Sequence, residues 1–116
     1  MQYLCLIYED EREMAGRTEA DQEAILRDYR AFTDQIVASG EFRAGEALQP
    51  VGTATSVRVR EGEVMLTDGP FAETREQLGG FYLIEAESLD RAVAIAAGIP
   101  TAHTGTIEVR PIWSYH

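Results

Sequence analysis

Between Thr18 and Gly40 the chain carries a helix with both ends written into it. Thr18 followed by Asp21 is a variant of the capping box, and Glu19, Asp21 and Glu23 set negative charge on the positive end of the helix dipole. Ile25, Tyr29, Phe32 and Ile36 recur at helical spacing and make one apolar stripe, and Gly40 supplies a left-handed stop. Such a stripe must be laid on something. The apolar run Gln2 to Tyr8, closed by Glu9-Asp10-Glu11, has the length and composition of a buried strand, with a polar loop between strand and helix.

The rest of the chain continues the alternation. Phe42 to Leu48 reads as a strand closed by Gln49-Pro50-Val51-Gly52. Ser56 to Arg60 alternates Val57 and Val59 with polar residues, Glu61-Gly62 turns, and Val64 to Leu66 returns, which predicts a β-hairpin. Gly79-Gly80 lead into a strand over Phe81 to Ile84. Ser88 caps a second, Ala-rich helix (Leu89, Ala92, Val93, Ala96) that Gly98 and Pro100 end. Thr106 to Ile112 is the last strand, followed by a short tail. The hairpin aside, the order is β-α-β-β-α-β, an α+β, ferredoxin-like arrangement with two helices on one face of an antiparallel sheet. Apolar residues occupy both faces of the strands, so the open face must meet something. A second copy of the same sheet is the expected partner, which predicts a homodimer.

A chain of 116 residues is one domain, with 45% apolar residues to fill one core. Twenty carboxylates face ten basic residues, all of them Arg, for a net charge of −10. That field disfavours nucleic-acid backbones and anionic membrane surfaces. The absence of Lys removes Schiff-base chemistry. Cys5, the single cysteine, lies in the first apolar run, where an inert buried thiol is expected. No basic segment precedes an apolar leader, and no apolar stretch approaches spanning length. A cytoplasmic, soluble chain is the expectation.

The segment Thr67-Asp-Gly-Pro-Phe-Ala-Glu-Thr-Arg-Glu-Gln-Leu-Gly-Gly-Phe-Tyr-Leu-Ile84 resembles the signature of DGPF-domain proteins within the YCII-related superfamily. The resemblance also takes in Gly45 to Pro50, the hairpin Thr-Ser-Val-Arg-Val-Arg and the ending Val109-Arg-Pro111, and so covers essentially the whole chain. It implies a dimeric α+β barrel of ferredoxin-like protomers. The wider superfamily is similar to small-ring isomerase and dehalogenase-like enzymes, with a His on the first helix and an Asp after the second. By that resemblance their places are taken here by Tyr29 and by Ile99 of the pair Ile99-Pro100, and phenol plus isoleucine cannot do the work of imidazole plus carboxylate near neutral pH. The resemblance also implies a link with alternative sigma factors.

Several groups remain as candidates for chemistry. Asp68 opens Asp-Gly-Pro, which is turn chemistry; it serves either as an Asx-turn or as a carboxylate at a cleft mouth, with Phe71 as the apolar wall against a substrate. Glu73, Glu76 and Gln77 follow, as a solvated face or the opening of a short helical turn. His103, in the predicted loop Thr101 to Gly105, is either an idle surface imidazole or a general base. Tyr29 points from its helix to the sheet, as a core tyrosine or as an acid. Arg110 anchors a substrate carboxylate or pairs with Glu108 or Asp68. The histidines and acids make no metal-ligand spacing and the glycines match no phosphate loop, so neither metal nor cofactor is expected. Three functions follow: a lyase- or isomerase-like enzyme acting on a small apolar acid, a non-catalytic accessory module whose acidic surface suits a basic regulatory protein, or a dimeric structural unit with no ligand.

Overall fold

The computed structural model describes residues 1–115. A four-stranded antiparallel sheet is built from β1 (Gln2–Glu9), β2 (Phe42–Ala47), β5 (Gln77–Glu85) and β6 (Thr106–Pro111), in the order β2-β5-β1-β6. Helices α2 (Glu19–Ala38) and α3 (Leu89–Ala97) make the two crossovers. This strand order is the one a ferredoxin-like β-α-β-β-α-β chain requires. Strands β3 (Thr55–Arg60) and β4 (Glu63–Asp68) pair only with each other, as the expected hairpin.

The local signals act as their chemistry demands. Thr18 accepts from the Asp21 amide while Asp21 accepts from the Thr18 amide, at 3.1 and 3.0 Å, so both halves of the capping box are made. Gly40 sits at φ 79° behind α2, and Ser88 accepts from the Arg91 amide to open α3. The chain after β1 is not all loop. Asp10 caps a single turn, α1 (Glu11–Met14), by accepting from the Arg12 amide. A 3-10 turn over Pro100–His103 replaces most of the predicted loop before β6.

The core lies between the helices and one face of the sheet. Tyr3, Cys5 and Ile7 alternate inward along β1 and meet Tyr82 and Ile84 of β5, Phe32 and Ile36 of α2, and Ala92, Ile95 and Ala96 of α3. Burial pushes the Cys5 thiol up to about 11, as an inert thiol requires. The alternate residues Leu4, Leu6, Tyr8, Phe81 and Leu83 lie on the face without helices and are half-buried. Among the described residues, no helix is long and apolar enough to cross a membrane.

Candidate functional site

The inward period of β1 does not stop at Ile7. Two residues on, Glu9 occupies the next helix-facing position, where a carboxylate is only 7% exposed. Arg17, in the turn that leads into α2, sets its guanidinium against Glu9 Oε1 as the opposing charge. That oxygen is fully buried and, among the described residues, accepts no hydrogen bond of normal geometry. A buried carboxylate held by one charge contact is an expensive arrangement, because desolvation is not offset by further donors.

Tyr29 reaches the same region from the middle of α2. Its hydroxyl meets Oγ1 of Thr101 at 2.5 Å, and Thr101 is itself buried on the 3-10 turn that precedes β6. Burial pushes the phenol above its ordinary value; the Thr101 hydrogen bond opposes this, while Tyr82 and the Glu9 charge push further upward. The phenol is therefore a protonated donor near neutral pH. Tyr82 packs its ring parallel to Tyr29 at 6.5 Å and edge-on to Phe32 at 5.2 Å, and its hydroxyl meets Thr33 at 2.7 Å. The ring stack fixes the sheet side of Tyr29 and leaves its hydroxyl end against Thr101, within range of the Glu9 charge.

Backbone approach sets the floor of this corner. A Cβ on Gly105 would stand 2.1 Å from the Tyr8 carbonyl oxygen, so only glycine lets the start of β6 come this close to the end of β1. The segment before β5 closes the same end of the sheet. Gln77 accepts from the Glu11 amide at 2.9 Å, Glu76 accepts from the Thr106 hydroxyl at 2.8 Å, and Glu11 accepts from the Val51 amide at 3.0 Å. Gln77 thus ties β5 to α1 and Glu76 ties the segment before β5 to β6, while Glu73 is exposed, and the three open no helical turn.

The other sequence candidates are dispersed. His103 is exposed on the 3-10 turn, two residues beyond Thr101. Asp68 ends β4 and is exposed, and no hydrogen bond or ion pair among the described residues joins it to Tyr29, Thr101 or Glu9. The turn after it is made by its neighbours. Gly69, at φ 93°, donates to the Ala54 carbonyl at 2.7 Å, and Ser56 donates to the Gly69 carbonyl at 2.8 Å. Asp68 therefore forms no Asx-turn. Phe71 is 82% exposed and walls nothing in a single chain. Arg110 stands 3.9 Å from Glu108 and lines a surface hollow of about 820 Å³ with Met1, Gln2, Glu85 and Trp113. A second hollow of about 490 Å³, around Glu41, Glu85 and Arg91, opens at that same end of the sheet, away from Tyr29. Among the described residues, no group of three or more His, Cys, Asp or Glu is placed to hold a metal ion.

Glu9, Arg17 and Thr101 escaped the sequence reading. The run Tyr3 to Tyr8 is apolar on both faces, so no period in the sequence marked Glu9 as inward; the alternation is one of burial.

Comparison with known proteins agrees with this architecture. The family model for the YCII-related domain matches residues 1–116. The uncharacterized protein R00369 of Rhizobium meliloti (strain 1021) is 39% identical over 117 residues, covering 99% of this chain and 94% of the relative. Among solved structures, 5-chloro-2-hydroxyhydroquinone dehydrochlorinase (TftG) from Burkholderia phenoliruptrix AC1100, in complex with 2,5-dihydroxybenzoquinone, has a similar fold. Its TM-score is 0.51 at 16% identity, covering 100% of this chain and 96% of that one.

Proposed function

The chain belongs to the YCII-related domain family, and from that premise we propose that it is a small-molecule enzyme of lyase or isomerase type, with Tyr29 and Glu9 as its proton-transfer groups. The observation that carries this reading is the buried Tyr29–Thr101 hydrogen bond beside a buried carboxylate. A tyrosine needed only for packing has no use for an adjacent desolvated charge, whereas acid–base chemistry needs a donor and an acceptor in one dry corner. In the proposed reaction Arg17 stays against Glu9 Oε1, which leaves Oε2 to take a proton from a ring carbon or hydroxyl; in a lyase step the electron pair left behind breaks the bond to the leaving group, which departs as its anion, and in an isomerase step the proton returns at another ring atom. The Tyr29 hydroxyl, oriented by Thr101, donates to the oxygen on which charge collects. His103 is the nearest imidazole in sequence to this corner and would pass protons to solvent.

The fold shared with a dehydrochlorinase supports a hydroxylated ring as the substrate class. We further propose that the chain works as a homodimer, in a dimeric α+β barrel, with the half-buried face of Leu4, Leu6, Tyr8, Phe81 and Leu83 against a second sheet.

The test is turnover and binding. Chloride release from 5-chloro-2-hydroxyhydroquinone and a thermal-shift series with 2,5-dihydroxybenzoquinone and related hydroxylated ring acids are measured on wild type, Tyr29→Phe and Glu9→Gln. Loss of a general acid or base costs about 100-fold or more in rate. Tyr29→Phe and Glu9→Gln should each show that loss while remaining folded. A Tyr29→Phe enzyme with wild-type turnover, or a wild type that neither turns over nor is stabilised by any member of the series, would overturn the reading.

A further inference from the structure

We propose that the hairpin β3–β4 is a docking arm that grips a second copy of this chain. The register Val57↔Leu66 and Val59↔Val64 puts four aliphatic side chains on one face of the ribbon, while Ser56, Arg58, Met65 and Thr67 take the other. The four are 60, 67, 56 and 66% exposed in the order of those pairs. Together they present roughly 400 Å² of contiguous apolar surface, the size at which a patch marks an interaction site. A two-stranded ribbon is marginal in water by itself, and β3 and β4 pair with no other strand. Something must cover this face for the ribbon to keep its shape.

Area and shape select the occupant. A stable dimer buries about 800 Å² on each partner, and the hairpin face alone supplies about half of that. The sheet face without helices, lined by Leu4, Leu6, Tyr8, Phe81 and Leu83, supplies more from the same chain. The molecule is a plate, 47 × 46 × 19 Å, with a radius of gyration of 16.2 Å. A compact domain of 100 residues has a radius of about 13 Å, so the arm extends the plate within its own plane. In the proposed pair a second plate stacked on the open sheet side spans the arm as well and takes its apolar face. Each copy carries both surfaces, so a two-fold pair satisfies both at once, which a partner of different sequence does only by matching two separate patches.

This inference rests on the homodimer proposed above and adds the arm to it; it stands apart from the assignment of Tyr29 and Glu9, because its readout is mass and not turnover. Light scattering on wild type at micromolar concentration should give twice 12.9 kDa. Leu66→Asp, on the apolar face, should raise the dissociation constant at least tenfold, while Met65→Asp, on the opposite face, should leave it unchanged. Hydrogen exchange on the unmodified chain guards against a variant that fails to fold. On dilution through the dissociation constant, amides of residues 55–68 should lose protection together with those of the sheet face. A monomeric wild type overturns the proposal. So does a dimer that Leu66→Asp leaves intact, or whose hairpin exchanges at the same rate before and after dilution; that result would leave the sheet-face contact standing without the arm.

Discussion

At the scale of single residues, the Glu9–Arg17 pair carries more consequence than any exposed charge on the chain. The side chains are 8% and 20% exposed, so each has given up most of its hydration for the other. Arg17→Met would leave a buried carboxylate without a counter-charge, a change that costs about 3 kcal/mol. Replacing both, as Glu9→Met with Arg17→Met, should return stability close to that of wild type, because the desolvation cost disappears along with the attraction. Urea unfolding of the two single variants and the double variant measures this directly.

At the scale of elements, the corner depends on how closely β6 begins against β1. Gly105 permits the approach, and the 3-10 turn before it, which holds Thr101 under Tyr29, is in turn tied back by the Gly105 amide donating to the Thr101 carbonyl at 2.7 Å. Gly105→Ala should therefore cost about 3 kcal/mol, since the atom met is backbone and cannot rotate away. It should also displace the turn that carries Thr101. Calorimetry reads the first effect; a changed Tyr29 ultraviolet titration in the folded protein reads the second. The same element logic explains Gly80, whose added Cβ would meet the Glu46 carbonyl at 2.7 Å where β5 passes β2. Gly80 thus permits the close pairing of β5 with β2, and the Gly79-Gly80 step is no phosphate loop.

At the scale of the whole molecule, the outer strand β2 and helix α3 are clasped by Glu41 and Arg91, which meet through two hydrogen bonds of 2.8 and 2.6 Å. The Arg91 guanidinium, helped by the Ser39 hydroxyl, holds the Glu41 carboxyl down at about 2 from its ordinary 4.5. A carboxyl lowered on folding contributes its stability above the unfolded value and loses it as pH falls toward the folded one. The stability difference between wild type and Arg91→Gln should therefore be present at pH 6 and shrink between pH 4.5 and 2. Melting curves across that range check it. The local order of this molecule was legible in its sequence. Capping residues, the α2 stripe and the hairpin turn are short-range patterns, and short-range sterics and hydrogen bonding decide them. The candidate site was legible only in Tyr29. Glu9, Arg17 and Thr101 lie 20, 12 and 72 positions from it, and only the crossing of β1, α2 and the turn before β6 makes them neighbours. Whether a carboxylate in an acidic run is solvated or buried depends on which side of the sheet the helices cover, and no single strand contains that information.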